Sequence, residues 1–204
     1  MSKGLFVVLE GIDGSGTSTQ LQRLAVELRG RGFAIHTTAE PTTGPIGRFI
    51  RDVLEKRERI SSPGLALAFA ADRLHHVETE ILPKLDAGTI VLADRYVLSS
   101  LAYQGLDNPL PWVEDLNKHA LTPSLSILLR VSPEVAAERR AKRGSPDELF
   151  DAAEKQRAIA KEYDRVFELP QHGPKVVLDA SPSIEKLTVE ILDLLAPYLP
   201  SLKQ

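Results

Sequence analysis

Apolar residues along this chain come in short runs, and stretches of helical spacing separate them. Strand-sized runs rich in β-branched and apolar residues occupy positions 5–10, 34–39, 90–94, 125–131 and 175–179. Between the first two, Leu21, Leu24, Ala25 and Leu28 fall at i, i+3, i+4 and i+7, the stripe of an amphipathic helix. Ile184, Leu187, Ile191 and Leu194 make a similar stripe near the C-terminus. The spacing predicts that the first helix stops at Gly30 and Gly32 and that another begins at Pro133. Strands alternating with helices predict an α/β fold whose parallel sheet is covered on both faces. Ligands of such sheets bind beyond the carboxyl ends of the strands, so the residues just after each run carry the functional question.

Composition narrows the classes. A chain of 204 residues with 43% hydrophobic content buries one full core, and positions 1–204 read as one domain. The formal net charge of −3 gives no reason to expect a nucleic acid or an acidic membrane as partner. There is no cysteine, which excludes disulfides and cysteine-ligated zinc or iron–sulfur sites and fits a reducing compartment. The longest apolar runs are strand-sized, well short of the roughly 20 residues that span a bilayer. Met1-Ser2-Lys3-Gly4 shows no small-residue cleavage site, so the expectation is a soluble, cytoplasmic protein.

Directly after the first run stands Gly11-Ile12-Asp13-Gly14-Ser15-Gly16-Thr17-Ser18-Thr19, which matches the glycine spacing of G-x-x-x-x-G-K-[ST] between a strand and a helix. Such glycines let backbone N–H groups turn around phosphate oxygens, and the helix that follows presents its positive end to the same anion. Ser18 occupies the position of the magnesium-binding hydroxyl. Thr17 occupies the position of the lysine. The structural alternative is a glycine-rich turn with Thr17 or Ser18 as a helix N-cap.

Further chemistry gathers after the other runs. Asp94-Arg95-Tyr96-Val97-Leu98-Ser99-Ser100-Leu101-Ala102-Tyr103-Gln104 brings an acid, an arginine, two tyrosines and two serines to a strand end, where Asp94 and Ser99 could also cap a helix. Phe69 and Arg73 lie one helical turn apart, and an aromatic plane beside a forked donor suits a flat heterocycle with carbonyl acceptors. The alternative there is a core phenylalanine with a snorkelling arginine. His75 and His76 lack a metal-ligand spacing and read as structural or solvated. Glu40-Pro41-Thr42-Thr43-Gly44 reads as a turn leading into a helix that carries Arg48 and Arg51. Arg139, Arg140, Lys142 and Arg143 end the helix after the fourth run, either as a solvated helix end or as part of a closing lid over positions 139–152.

Taken together, these segments resemble thymidylate kinase over essentially the whole chain. The carrying residues are Glu10-Gly11-Ile12-Asp13-Gly14, Glu40-Pro41, Phe69-Ala70-Ala71-Asp72-Arg73 with His76, and Asp94-Arg95-Tyr96 through Ser99-Ser100 to Ala102-Tyr103-Gln104. The resemblance implies a three-layer P-loop fold with a five-stranded parallel sheet flanked by helices, working as a homodimer. It implies transfer of the γ-phosphoryl group of ATP to dTMP with Mg2+. It places ATP on residues 11–19 and the metal by Ser18 and Asp94. Phe69 would stack on thymine, Arg73 would bond its O4, and Ser100 and Gln104 would line the base pocket. Arg95 would hold the dTMP phosphate, with Arg51 as a second candidate. Asp13 would sit by the 3′-hydroxyl and the magnesium shell, and Tyr103 would pack under the deoxyribose. The family draws its charge-neutralising arginine either from the phosphate loop or from the lid. Here the loop position is Ser15 and the lid carries Arg139 and Arg143, so the chain is similar to the lid-arginine type. The chain departs from the family pattern in two places: at Thr17, and in the turn Thr42-Thr43-Gly44.

Overall fold

The computed structural model describes residues 4–143, 149–150 and 152–199. Strand β1 (Phe6–Glu10) leads through the glycine loop into α1 (Thr17–Gly30), followed by β2 (Ile35–Ala39), α2 (Pro45–Leu54) and α3 (Ser62–His76). After α3 come one wide turn (Val77–Ile81), α4 (Leu82–Asp86), β3 (Ile90–Asp94), α5 (Val97–Gln104) and α6 (Leu110–Leu116). The chain closes with β4 (Leu125–Arg130), α7 (Pro133–Arg143), α8 (Ala153–Phe167), β5 (Lys175–Asp179) and α9 (Ile184–Leu195). Each strand starts and ends within one residue of the run that predicts it. The wide turn has a local cause: Pro83 has no N–H to continue the helical ladder, and the turn before it opens to i→i+5 spacing.

The five strands pair in parallel in the order β2-β3-β1-β4-β5, so the α/β expectation holds. Every residue of β1 is buried, as a central strand covered on both faces requires. The helices provide that cover: α1 packs on α9, and α5 packs on α8 and α3. The edge strands β2 and β5 are only half-buried. Register puts Leu9 beside Asp94 and Glu10 beside Leu128, so the loop after β1 opens between the ends of β3 and β4. None of the helices among the described residues is long and apolar enough to cross a membrane.

The capping alternatives fail. The N-cap of α1 is Gly16 at φ 101°, with no side-chain bond, because the loop's left-handed turn takes the position that Thr17 or Ser18 would need. The N-cap of α5 is Tyr96, also without a side-chain bond, and this leaves Asp94 and Ser99 for other work.

Candidate active site

A cleft of about 620 Å³ lies beyond the carboxyl ends of the strands, and the phosphate loop forms one wall. Ser15 N–H closes the loop on Ile12 O at 3.0 Å. Gly14 has φ 94°, and a Cβ there would lie 2.4 Å from the Ala136 carbonyl oxygen of α7, so this position admits only glycine. The Oγ of Ser15 is buried without a hydrogen-bond partner among the described residues.

At the foot of the loop, Ser18 Oγ donates to Asp94 Oδ2. The other oxygen, Asp94 Oδ1, is a buried acceptor with no partner among the described residues. A hydroxyl beside a carboxylate with one open oxygen is a donor set of the kind Mg2+ takes when phosphates and waters supply its other ligands. No group of three or more His, Cys, Asp or Glu side chains among the described residues could hold a metal by itself.

The middle of the cleft is built on Asp13 and Arg95. Arg95 sits between β3 and α5 at φ 71°, a strained backbone for a residue with a Cβ. Its Nη1 donates to Gly11 O at 2.9 Å and its Nη2 to Asp13 Oδ1 at 2.6 Å. Its guanidinium carbon lies 5.0 Å from the Tyr103 ring centroid. Asp13 Oδ2 accepts from Tyr103 Oη at 3.1 Å and from Gln156 Nε2 at 2.8 Å. The Tyr103 ring meets Phe150 edge-on at 5.2 Å and Tyr163 at 6.1 Å. Burial pushes the Tyr103 phenol up, so it stays a hydrogen-bond donor.

Behind this layer Glu10 is fully buried. It accepts from the N–H groups of Tyr96 and Ser99 and from the hydroxyls of Ser99 and Tyr163. Tyr163 Oη in turn lies 3.3 Å from Arg95 Nη1, so one network reaches from the core to the cleft. Burial raises the Glu10 carboxyl to about 7, against the pull of Ser99, Arg95, Tyr163 and Arg73.

The far end of the cleft holds Phe69, Arg73, Ser100 and Gln104. Arg73 is not a snorkelling side chain: it is 1% exposed. Its Nε donates to Glu40 Oε2 at 2.8 Å, and its Nη2 donates to Tyr96 O at 3.1 Å and to Ser100 Oγ at 3.0 Å. Nη1 has two N–H bonds and one protein acceptor among the described residues, Asn117 Oδ1. Gln104 Oε1 is buried with no partner among the described residues. His76 is structural: Nδ1 meets Glu40 Oε1 at 3.1 Å and Nε2 meets Thr38 Oγ1 at 2.7 Å. His75 is exposed. Asp72 holds the divergent turn, accepting from Thr42 N–H at 2.8 Å and Thr42 Oγ1 at 2.7 Å. Arg51 lines the cleft and donates to Pro41 O at 3.1 Å.

From the α7 side, Arg139 donates Nη1 to Ser15 O at 3.3 Å and Nη2 to Ala180 O at 2.8 Å. Arg140 donates Nη1 to Asp13 O. The side chain of Arg143 and residues 144–148 and 151 of the lid segment lie outside the described residues. The structure therefore brings together Asp13, Ser18, Arg51, Phe69, Arg73, Asp94, Arg95, Ser100, Tyr103, Gln104 and Arg139 around one cleft. Sequence reasoning assigned no role to Glu10, Glu40, Asn117, Gln156 or Tyr163. The two acids stand at or next to strand ends and enter the sequence reading only as part of the strings that carry the resemblance. Gln156 and Tyr163 lie in an unremarkable helix.

Comparison with known proteins agrees with this geometry. The sequence model of the family described as thymidylate kinase matches residues 9–191. A protein of Treponema pallidum (strain Nichols), whose name proposes thymidylate kinase activity, is 42% identical over 199 residues, 95% of each chain. A protein of Pyrococcus abyssi (strain GE5 / Orsay), with a name proposing the same activity, is 39% identical over 94% of this chain and 96% of its own. The thymidylate kinase of Deinococcus radiodurans is 41% identical over 158 residues, 74% of this chain and 77% of its own. The match covers the phosphate loop, the Arg73 pocket and the Arg95 strand end alike, and this chain belongs to the thymidylate kinase family.

Proposed function

We propose that this chain transfers the γ-phosphoryl group of ATP to dTMP, giving dTDP. The observation that carries the reading is that one cleft is lined by the phosphate loop, by Asp13 and Arg95, and by Phe69, Arg73, Ser100 and Gln104. Thymine offers an acceptor at O4 and a donor at N3–H. The pocket offers the second N–H of Arg73 Nη1 and the open acceptor Gln104 Oε1, so the polarity matches at both atoms. Phe69 would supply the stacking surface. Tyr103, fixed by Asp13 and Phe150, leaves little depth beneath a sugar and would select deoxyribose.

Phosphoryl transfer is mostly positioning plus charge stabilisation. Arg95 would hold the acceptor phosphate, with Arg51 beside it. Asp13, oriented by Tyr103 and Gln156, would take the 3′-hydroxyl side of the sugar. The glycine-loop amides and the start of α1 would hold the donor phosphates. Mg2+ arriving with ATP would be held by Ser18 Oγ and the open oxygen of Asp94, where it would neutralise charge on the β- and γ-phosphates. Cations from α7 and the lid, Arg139 and Arg143 among them, would stabilise the group in flight. The family resemblance further supports one domain over positions 1–204 and a cytoplasmic homodimer. Exposed Phe49 on α2 and Leu67 on α3, two helices in contact, offer an apolar face for such pairing.

The test is a coupled ADP-release assay with ATP, Mg2+ and dTMP. The expected result is turnover that depends on dTMP. ADP release indifferent to dTMP, or faster with dCMP, would overturn the reading.

A further inference from the structure

Arg73 bonds Glu40 through one oxygen, not two. Its Nε donates to Oε2 at 2.8 Å, and Nη2 lies 2.7 Å from the same atom. A carboxylate beside a guanidinium often turns both oxygens to the fork, one to each nitrogen, which adds energy and geometric definition. Here Oε1 is held elsewhere.

The group that holds it is His76. Its Nδ1 lies 3.1 Å from Glu40 Oε1, and the side chain is 0% exposed. An ionised carboxylate only accepts, so the ring nitrogen facing it carries a proton whether the imidazole is neutral or charged. The ring is fixed from its other side by Thr38 Oγ1, 2.7 Å from Nε2. Thr38 on β2 and Glu40 just after it are two residues apart, so the strand's alternation turns both to one side. Arg73 and His76 are three apart on α3 and share one helical face. Farther out, Glu80 Oε1 lies 3.7 Å from His76 Nε2 and 2.8 Å from His36 Nε2. The imidazole therefore ties the edge strand to the acid that pairs with Arg73.

The direction of Arg73 depends on that tie. Nη2 directs its N–H bonds to Tyr96 O at 3.1 Å and Ser100 Oγ at 3.0 Å. With Oε1 released, the carboxylate is free to swing into the fork and compete for an N–H of Nη2. The guanidinium is planar and rigid, so any turn at Nη2 also turns Nη1, whose second N–H is the donor left for a ligand. His76 itself lies outside the cleft lining, and its effect on a ligand must pass through Glu40.

Resting on the kinase reading above, we propose that His76 is a positioning residue for base recognition: by holding Glu40 Oε1, it fixes the plane in which Arg73 offers its open N–H to the base. The role concerns which base is taken and how tightly, not the phosphoryl step.

The test uses the two ring nitrogens. The amide nitrogen of asparagine is attached at Cγ, as Nδ1 is, whereas that of glutamine reaches the place of Nε2. His76→Asn therefore keeps the donor to Glu40, His76→Gln keeps only the contact with Thr38, and His76→Leu keeps neither. The purified full chain is titrated with dTMP and with dCMP, and kcat and KM for dTMP are measured alongside. The glutamine and leucine variants are each expected to lower the preference for dTMP over dCMP by about tenfold, the scale of a hydrogen bond to a charged group. KM for dTMP is expected to rise with that loss while kcat stays within about threefold. The asparagine variant is expected to keep the natural preference within about threefold, because the bond to Glu40 survives. An asparagine variant that loses as much as leucine would overturn the proposal. So would a natural preference that survives all three substitutions, even where thermal unfolding shows lost stability, since His76 would then be a core residue alone. If leucine does not fold, glutamine carries the comparison, because its amide still meets Thr38 Oγ1. A natural protein that binds dTMP and dCMP alike would overturn the thymine reading and this proposal with it. Selectivity present in the natural protein and unchanged in the variants overturns the proposal and leaves the kinase reading standing.

Discussion

Arg73 and Glu40 form a buried ion pair between α3 and the turn after β2: Nη2 lies 2.7 Å from Oε2, and the two side chains are 1% and 2% exposed. Burying a cation in this position is unfavourable unless its charge and its donors are satisfied. Glu40 supplies the charge, and Asn117, Ser100 and the Tyr96 carbonyl supply acceptors. His76 holds the opposite oxygen of Glu40. Removing the acid would strand the guanidinium, so Glu40→Ala is expected to destabilise the fold by about 3–5 kcal/mol. Urea unfolding reads this directly. A loss below about 1 kcal/mol would mean that water or another acid already compensates Arg73.

The same pocket is expected to set substrate choice. Cytosine reverses both polarities that thymine offers, placing an amine against Arg73 and a bare acceptor against Gln104 Oε1. Preference for dTMP over dCMP is therefore expected to reach roughly a hundredfold or more in kcat/KM, as for sites whose buried polar groups go unpaired with the wrong ligand. The ribose analogue of dTMP is expected to be a poor substrate because of Tyr103. Competition kinetics with the three nucleotides decide the matter, and equal use of dCMP would remove the base-pocket assignment.

The strands were legible because β-branched and apolar runs of strand length leave little choice of element, and the parallel sheet followed from their alternation with helices. The glycine loop, Arg95 and the Phe69–Arg73 turn were legible because their chemistry sits at strand ends or at one-turn spacing. What supports them was not. Glu40 stands 33 residues from Arg73 and Asn117 stands 44 away, so neither pairing leaves a local pattern. Gln156 reaches Asp13 across 143 residues, once α8 has packed behind the loop. Thr17 was legible as a cap and is not one, because the left-handed Gly16 takes that position.

That support is itself testable at Gln156. Its Nε2 donates to both Asp13 Oδ2 and the carbonyl of Phe150, tying the end of the lid segment to the carboxylate. Gln156→Leu removes both donations at similar volume. A fall in kcat of about tenfold is expected, the scale of one or two lost hydrogen bonds, with ATP affinity unchanged. A rise in ATP KM with normal kcat would place the effect at the donor site instead.

Thr17 and the lid arginines should respond in opposite ways. Thr17→Ala removes only a hydroxyl and is expected to change kcat/KM for ATP by less than about threefold. Among Arg139→Ala, Arg140→Ala and Arg143→Ala, at least one is expected to lower kcat by about tenfold or more with dTMP KM little changed. Near-normal kcat in all three would leave Arg139 and Arg140 as structural ties to the loop backbone rather than a source of catalytic charge.

Glu10 gives the fold a pH dependence of defined sign. Burial raises its carboxyl from 4.5 to about 7, with Ser99, Arg95, Tyr163 and Arg73 opposing. The folded state therefore binds this proton more tightly than the unfolded chain does. The resulting stability is fully present below about pH 4.5 and is lost as pH rises through about 7. A shift of that size corresponds to roughly 3 kcal/mol. Arg95 and Arg73 draw part of their compensation from the ionised form, so the charge is tolerated at neutral pH rather than excluded. In Glu10→Gln, the amide oxygen keeps the N–H groups of Tyr96 and Ser99, and the new NH2 faces two hydroxyls that can accept. The variant is thus expected to fold and to lose the decline between pH 5 and 8, gaining on the natural protein as pH rises. Unfolding free energies measured at several pH values across that range test the point. Parallel curves for the two proteins would show that Glu10 keeps an ordinary carboxylate pKa in spite of its burial.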